Sequence, residues 1–183
     1  MWRCCSRGRA ISSTDFVEAD LIEWETSGET FEEADFSNAR LNASLHTRTA
    51  FLRCVFRRTN LFDATFVQCK MTGSVFESAE LRPLTVDGGD WSYVRLRGAD
   101  LRGVSFRGVR LSEADLTDAD LTDCDLRESD LSYATLRGAT LTGADLRGAN
   151  VTGVDLSELR LAGAVLDVAQ AMQVARGLGA VVE

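Results

Sequence analysis

One hydrophobic period of five residues holds its register over most of this sequence. Stepping by five from Phe16 to Leu166 samples 31 positions, of which 29 are large and apolar, and only Thr26 and His46 interrupt the series. With 45% hydrophobic residues overall, chance would fill about half of these positions. A repeat that covers 151 residues without a slip describes most of the fold, so it constrains the interpretation of every other motif.

The neighbouring phases of the repeat indicate what each unit does. Two positions before the large residue, 27 of 31 residues are Ala, Ser, Thr, Cys, Val or Gly, and two positions after it lie 11 of the 15 glycines. Residues two apart in an extended segment face the same side, so the small and the large side chain both point inward. A type II turn needs a positive φ at its second central residue, which favours glycine there. The repeat therefore predicts one bend per unit, and four right-angled bends close a square coil of 20 residues.

The segments GADLRGVSFRG, EADLTDADLTDCDLRESDL and GATLTGADLRGAN resemble the pentapeptide-repeat family, whose motif is A(D/N)LxG. The resemblance covers about 150 of the 183 residues. It implies an all-β solenoid: a right-handed quadrilateral β-helix of about eight 20-residue coils, with the large apolar residues stacked inside and a short C-terminal α-helix. At about 4.8 Å per stacked strand, such a rod is about 40 Å long.

The extent of the repeat predicts three segments. We expect residues 1–13 to form a ragged N-terminal segment and residues 14–166 the pentapeptide-repeat β-helix. Residues 167–183 are expected to form a helix and tail that cap the rod and join two copies. An open coil exposes unpaired backbone groups, so a cap is needed at each end.

The segment LDVAQAMQVARGLG follows the last repeat and has helical spacing. Asp167 is a candidate N-cap with Gln170 three residues on, and Gly177 is a candidate C′ stop. A two-fold homodimer is the commonest way to cover an apolar face that remains exposed at such an end. The residues expected at the dimer contact are Leu159, Leu161, Val165, Val168, Ala171, Met172, Ala175, Leu178 and Val181.

Residue types that often serve in catalysis or metal binding have structural explanations here. Three scattered cysteines occupy small inward positions, two lie near the N-terminus, and no CxxC pair occurs. His46 is expected to be a partly buried, hydrogen-bonded structural residue, because the chain holds no second His. An interior filled with Leu and Phe leaves no substrate pocket, so we expect no enzyme activity, no metal and no cofactor. The cysteines are Cys54, Cys69 and Cys124, then Cys4 and Cys5.

Charge is arranged in blocks. Residues 15–35 carry nine acids and no base, residues 40–58 carry five arginines and no acid, and residues 95–110 are mainly basic. Residues 113–130 carry eight acids and one arginine, which predicts an acidic belt one coil long. The net charge of −8 argues against direct nucleic-acid binding, which favours a basic face.

The 20-residue coil also predicts stacks of like charge. Carboxylates about 5 Å apart repel, and neighbouring arginines would offset that repulsion. The predicted stacks are Asp100 with Asp120 and Asp125 with Asp145, and the arginines expected beside the second stack are Arg107, Arg127 and Arg147.

The sequence carries no sign of membrane insertion or secretion. No apolar run approaches the roughly 18–20 residues of a membrane span. The first ten residues, MWRCCSRGRA, are basic but lack the apolar stretch of a signal peptide. A cytoplasmic protein is therefore expected.

The less regular segment NASLHTRTAFLRCVFRRTNLFDATFVQCKMTGSVFESAELRPLTVDG resembles the mycobacterial fluoroquinolone-resistance branch of the family, as do the single Pro83 at a turn position, the chain length and the C-terminal helix. The resemblance implies a homodimer joined at its C-terminal ends. It also implies a DNA mimic that binds DNA gyrase in place of DNA, inhibits supercoiling and lowers fluoroquinolone sensitivity. Plasmid-borne quinolone-resistance relatives carry projecting loops, for which the unbroken register leaves no room.

The acids on the outside of the rod are the expected gyrase contacts. A duplex about 40 Å long carries more than twenty charges, so a chain with net charge −8 would depend on shape and on local acidic surfaces. The residues expected to contact basic gyrase surfaces are Asp100, Asp115, Asp118, Asp120, Asp123, Asp125, Glu128, Asp130 and Asp145.

Two other functions fit the same sequence. The protein would be an interaction scaffold for another partner, for example a small GTPase, if the arginine-rich spans 40–58 and 95–110 were the contact surface. It would be a self-resistance factor if its host made a gyrase poison.

Overall fold

Each rung of the rod pairs in parallel with the rung 20 residues further along the chain. The computed structural model describes residues 10–12 and 14–182, so Cys4 and Cys5 lie outside the described residues. The pairing runs from Ala10 with Thr30 to Asp145 with Val165. The offset of 20 residues confirms the β-solenoid expected from the repeat.

Regular strands form only in the N-terminal half of the solenoid. The strands are β1 Ala10–Ser12, β2 Glu25–Ser27, β3 Thr30–Glu32, β4 Leu45–Thr47, β5 Ala50–Leu52, β6 Ala64–Val67 and β7 Leu84–Asp87. They make a three-stranded parallel sheet of order β1-β3-β5 and a four-stranded parallel sheet of order β2-β4-β6-β7. Regular strands thus stack over three or four coils, fewer than the eight expected, and beyond them the same register continues as isolated bridges.

The first coil departs most from the repeat. Strand β1 lies inside the segment 1–13, so solenoid pairing begins before the boundary expected at residue 14. Trp24 occupies a small inward position and packs its ring 5.4 Å from that of Phe31. Glu29 occupies the next small inward position, is buried, and accepts a hydrogen bond from the amide of Ser27.

The chain bends at the position that holds the glycines. Eleven glycines and 17 other residues have a positive φ at the second position after the large residue, which we call the corner position. From Trp91 onward, the amide three residues after each large residue closes the bend, as in the bond from Ala99 N to Leu96 O at 3.1 Å. This geometry matches the expected type II turn. Pro83 also occupies a corner position, after a cis peptide bond with Arg82.

The large inward residues stack in columns along the rod. The rings of Phe16, Phe36, Phe56 and Phe76 follow one another at 4.7, 5.0 and 4.8 Å, with interplanar angles of 5° or less. Stacked rings fill the interior at the density of a close-packed core. Truncation of one buried Phe in such a column to Ala costs about 3–5 kcal/mol.

The two residues that interrupt the apolar series contact each other. Pairing of β2 with β4 places Thr26 beside His46, and Thr26 Oγ1 lies 2.8 Å from His46 Nδ1. His46 Nε2 lies 3.0 Å from Ser44 Oγ, and the His46 ring stacks on Phe66 at 5.0 Å. The hydrogen-bonded structural role is confirmed, but His46 is fully buried rather than partly buried. Burial lowers the pKa of His46 to about 3.

The inward cysteines are core residues, as expected. Cys54, Cys69 and Cys124 are buried, and each thiol donates to a backbone carbonyl. Burial raises the pKa of Cys54 and Cys69 to about 11 and that of Cys124 to about 12. Such thiols stay protonated and unreactive at neutral pH.

Helix α1, Val168–Gly177, closes the C-terminal end of the rod after a short 3₁₀ helix at Leu156–Glu158. Asp167 and Gln170 form the expected capping box. The Gln170 side-chain amide also donates to the carbonyls of Leu146 and Ala149 at 2.7 and 3.0 Å. The helix therefore supplies hydrogen bonds to carbonyls at the open end of the solenoid.

The expected helix stop at Gly177 is wrong by two residues. Gly177 is the last helical residue, and Gly179 is the glycine with a positive φ of 88°. A Cβ at Gly177 would lie 2.7 Å from the Ser157 side chain. Gly177 therefore allows close approach of the helix to the rod, and Gly179 terminates the helix.

Replacement of His46 tests the neutral core histidine. In the folded chain the pKa of His46 is about 3, against an ordinary value of 6.5, so the unfolded chain takes up the proton first as pH falls. The contribution of His46 to the free energy of unfolding is therefore complete above pH 6.5 and decreases as the pH falls toward 3. Between pH 7 and pH 5, the wild type is expected to lose about 2 kcal/mol more than His46→Phe. Urea denaturation at both pH values measures this difference, and equal losses would contradict it.

Candidate functional site

The acidic belt at 113–130 encircles the rod. Its four paired aspartates lie in four different ladders, because Asp115, Asp120, Asp125 and Asp130 pair with residues in four successive units of the next coil. The expected gyrase contacts are thus spread over all sides rather than gathered on one face. A flat partner surface can touch the acids of only one or two sides at a time.

The belt contains two kinds of acid. The aspartates just before a large residue are half-buried and cap the turn that follows, as Asp120 Oδ1 accepts from the Thr122 amide at 3.0 Å. The acids at corner positions project further: the Asp118 and Glu128 side chains are 62% and 63% exposed, against 27% for Asp125. The corner acids are therefore the ones best placed to meet a partner.

The belt also lacks glycine at its corners. Five successive corners from 113 to 133 carry charged or aromatic side chains at φ values between 57° and 59°, whereas the three corners on either side are glycine. A positive φ is uncommon for residues other than glycine, so this stretch retains its corner side chains at a conformational cost. The five corner residues are Glu113, Asp118, Asp123, Glu128 and Tyr133.

Glycines of the following coil make room for four of these side chains, and only Glu113 is followed one coil later by another side chain, that of Tyr133. A Cβ at Gly138 would lie 2.3 Å from Asp118 Oδ1, and a Cβ at Gly143 would lie 2.2 Å from Asp123 Oδ1. These four corner side chains thus lie along the rod over residues that have no side chain. The 20-residue offset between acid and glycine is the sequence signal for this arrangement.

Glu113 is an acid that the expected contact list omits. It occupies an exposed corner and accepts a hydrogen bond from Tyr93 Oη at 2.6 Å. Its place two residues after Leu111 identifies it as a corner acid of the belt.

Arginines offset the predicted stacks of like charge. The Arg127 guanidinium lies 2.6 Å from Asp125 and 3.7 Å from Asp145, and Arg147 lies 2.6 Å from Asp145. The hydrogen bond from Arg147 is the main cause that lowers the pKa of Asp145 to about 2. Arg107, also expected beside this stack, pairs with Glu128 at 2.8 Å instead.

Asp100 is the most strongly neutralised of the expected contact acids. Arg102 lies 2.6 Å from its carboxylate, and Arg82 approaches from the preceding coil at 3.2 Å. The hydrogen bond from Arg102 is the main cause that holds the pKa of Asp100 far below its usual range. Asp100 and Asp145 each lie beside two arginines, so they offer a partner less uncompensated charge than Asp118 and Glu128, which each pair with one arginine.

The comparisons with known proteins agree with this geometry. A family model described as "Pentapeptide repeat region" matches residues 41–116, and one described as "Pentapeptide repeats (8 copies)" matches residues 119–158. The chain belongs to the pentapeptide-repeat family.

This pentapeptide-repeat chain resembles a curated relative over half of its length. It is 47% identical over 91 residues to the pentapeptide repeat protein MfpA of Mycobacterium tuberculosis (strain ATCC 25618 / H37Rv), and the match spans 50% of each chain. The chain thus spans half the length of that curated relative.

Solved structures show the same fold. A trypsin-treated form of QnrB1, described as a plasmid-mediated fluoroquinolone resistance protein, matches with a TM-score of 0.77 at 22% identity, covering 95% of this chain and 87% of QnrB1. Full-length QnrB1 matches with a TM-score of 0.70 at 23% identity, covering 93% and 97%.

The C-terminal end of the pentapeptide-repeat rod exposes apolar side chains. Val168, Leu178 and Val181 are 78%, 71% and 87% exposed. The side of α1 that meets the rod instead presents Gln170 and Val174. The expected dimer contact stays a prediction, and the structure places its helical members partly or largely in solvent.

Other kinds of site find no support in the part of the chain that the structure describes. Within residues 10–12 and 14–182, no group of three His, Cys, Asp or Glu side chains is arranged to hold a metal ion. No helix among these residues has the length and apolar character to cross a membrane.

The two kinds of belt acid should differ in their effect on stability. Asp120→Ala is expected to lower the free energy of unfolding by about 1 kcal/mol, because it removes the hydrogen bonds to the Thr122 amide and hydroxyl. The control Asp123→Gly should raise it slightly, because glycine accepts the positive φ of 57° at that corner more easily. Thermal unfolding followed by circular dichroism measures both changes. Destabilisation by the corner variant alone would contradict this division.

Proposed function

We propose that this protein is a non-catalytic DNA mimic that binds DNA gyrase, inhibits supercoiling by that topoisomerase and lowers fluoroquinolone sensitivity. The observation that carries the proposal is the run of exposed acidic corners around an uninterrupted rod. The partial likeness to MfpA and the fold shared with QnrB1, a fluoroquinolone resistance protein, support an antibiotic-resistance role.

The corner acids would act on gyrase by long-range attraction and by local pairing. A basic surface that holds DNA attracts an acidic rod, and charge complementarity favours rapid association. The half-buried aspartates keep the turns in shape, and Asp118, Asp123 and Glu128 would then meet Lys or Arg side chains of the enzyme. The contact would weaken as salt rises, since exposed charges are screened.

The proposed assembly is a cytoplasmic homodimer joined at its C-terminal ends. Two rods of about 40 Å placed end to end would present a duplex-like length of about 80 Å. The exposed Val168, Leu178 and Val181 at one end of the rod support this arrangement.

The alternative role as a scaffold that binds through its arginine-rich spans has less support. Arg40, Arg53 and Arg57 all form ion pairs with acids of neighbouring coils, at 3.1 Å or less. In the second span, the paired arginines are Arg97, Arg102, Arg107 and Arg110. Most arginines of both spans are thus engaged within the rod.

Charge reversal at the corners tests gyrase binding. The triple variant Asp118→Lys, Asp123→Lys, Glu128→Lys is expected to inhibit gyrase supercoiling at least about tenfold more weakly than the wild type, because each new like charge in a contact costs affinity. Supercoiling assays with and without a fluoroquinolone measure this. The matched control Glu18→Lys, Glu23→Lys, Glu33→Lys changes net charge equally at corners of the first coil. Absence of inhibition by the wild type, or equal inhibition by the belt variant, would disprove the proposal.

A second test addresses the dimer. Val168→Asp combined with Leu178→Asp is expected to convert a dimer into monomers of 20.0 kDa, because two charges would be buried in an apolar contact. Sedimentation equilibrium measures the mass, and Phe62→Ser, at an exposed site on the repeat, serves as the control. A wild-type protein that sediments as a monomer would contradict the prediction.

A further inference from the structure

Both tyrosines of the chain occupy one corner column of the rod. Tyr93 and Tyr133 are 40 residues apart, hence two coils apart, and Glu113 lies at the same corner between them. At about 4.8 Å per coil, their backbones are about 10 Å apart. The tyrosines are 52% and 65% exposed, so an exposed tyrosine lies one coil before and one coil after an exposed carboxylate. We call Tyr93, Glu113 and Tyr133 the aromatic corner.

The fold does not require tyrosine at these positions. Tyr93 and Tyr133 have φ values of 60° and 58°, a region that bulky residues rarely adopt. Glycine fills the same position in 11 other units and would adopt this φ without strain, and smaller or charged residues fill it with a positive φ in 15 more. Backbone strain that is retained in this way clusters at binding sites.

The aromatic corner has the chemistry that recognises a guanidinium group. Tyr93 Oη donates to Glu113 Oε1 at 2.6 Å, which places a phenol directly beside the carboxylate. The Tyr133 ring lies over Gly153, where a Cβ would come within 2.5 Å of it. Arginine stacks on aromatic faces and pairs with carboxylates through a planar fork, whereas lysine is a compact and strongly hydrated charge.

We propose that the aromatic corner binds an arginine side chain of a protein partner. The guanidinium pairs with Glu113 and contacts the exposed tyrosine rings of the coils before and after it. Tyrosine and arginine are the residue types that most often dominate the energy of protein interfaces. The net negative charge of the surrounding belt favours a basic partner surface. The assignment of this arginine to gyrase rests on the function proposed above.

Peptide binding tests the aromatic corner without gyrase. A fluorescent nona-arginine peptide is the probe and nona-lysine the comparison, both measured by fluorescence anisotropy. The variant Tyr93→Gly, Tyr133→Gly is expected to bind nona-arginine about fivefold to thirtyfold more weakly, which is the loss of two exposed cation–π contacts. Its affinity for nona-lysine should change less. Tyr93→Phe with Tyr133→Phe keeps the rings and should retain most of the binding, and Phe62→Gly is the control for an exposed ring elsewhere.

The same glycine variant separates binding from folding. Its melting temperature is expected to rise, because glycine relieves two strained corners. A lower melting temperature would assign the tyrosines to the fold and overturn the inference. Equal loss of nona-arginine and nona-lysine affinity would also overturn it, since the corner would then act only as part of a general negative field.

Gyrase assays distinguish failure of this inference from failure of the proposed function. If the wild type inhibits supercoiling and the glycine variant inhibits it equally, the aromatic corner is not the contact and the proposed function stands. If the wild type does not inhibit supercoiling, the proposed function fails, and the difference between the two peptides alone decides whether the corner recognises arginine.

Discussion

The backbone pairing between residues 20 apart is the constraint on which the rest of this structure depends. Each rung bonds only to the rung before it and the rung after it, so every side chain lies against the one 20 positions away. Inside the rod, shapes must therefore repeat along a column, as in the stacked rings from Phe16 to Phe76. A polar residue inside is tolerated where its column neighbour can bond to it, as Thr26 does with His46.

The same constraint governs the charges outside. A block of acids one coil long stacks on a block of arginines in the next coil, so Arg53 meets Glu32 and Glu33 across the register. Where acids stack on acids, an arginine inserts beside them, as Arg102 does between Asp100 and Asp120 at 2.6 and 3.6 Å. Individual exposed pairs contribute little stability. Their sum nevertheless decides which acids keep uncompensated charge.

Much of the fold follows from the sequence because a five-residue period determines which side chains point inward. The inward cysteines were predictable on that basis, and the Asp167 cap was predictable from the helical spacing of the segment that follows the repeat. The residue that ends the helix was not predictable, because two glycines that are two residues apart have different structural roles. Gly177 allows contact with Ser157, and Gly179 takes the positive φ. The phase of the repeat places Asp118 at a corner and Asp120 just before a large residue. Only the structure shows that Asp120 caps a turn and that Asp118 projects.

The corner position is where the needs of folding and of binding differ. Glycine suits the bend best, and beyond the belt the corners at 138, 143, 148 and 153 all hold it. From 113 to 133 every corner instead holds a charged or aromatic side chain, and glycines one coil later leave room for all of them except Glu113, which is followed there by Tyr133. A strained corner residue, at a position where glycine would fit without strain, is a better indicator of a binding surface than charge alone. Acidic residues on the surface of a rod also serve solubility. On this argument the belt is a better candidate for partner contact than the more acidic first coil, where residues 15–35 carry nine acids and no base. The first coil also has non-glycine corners at Glu18 and Glu23, but non-glycine corners continue into the coils that follow it, so there they do not mark out one coil.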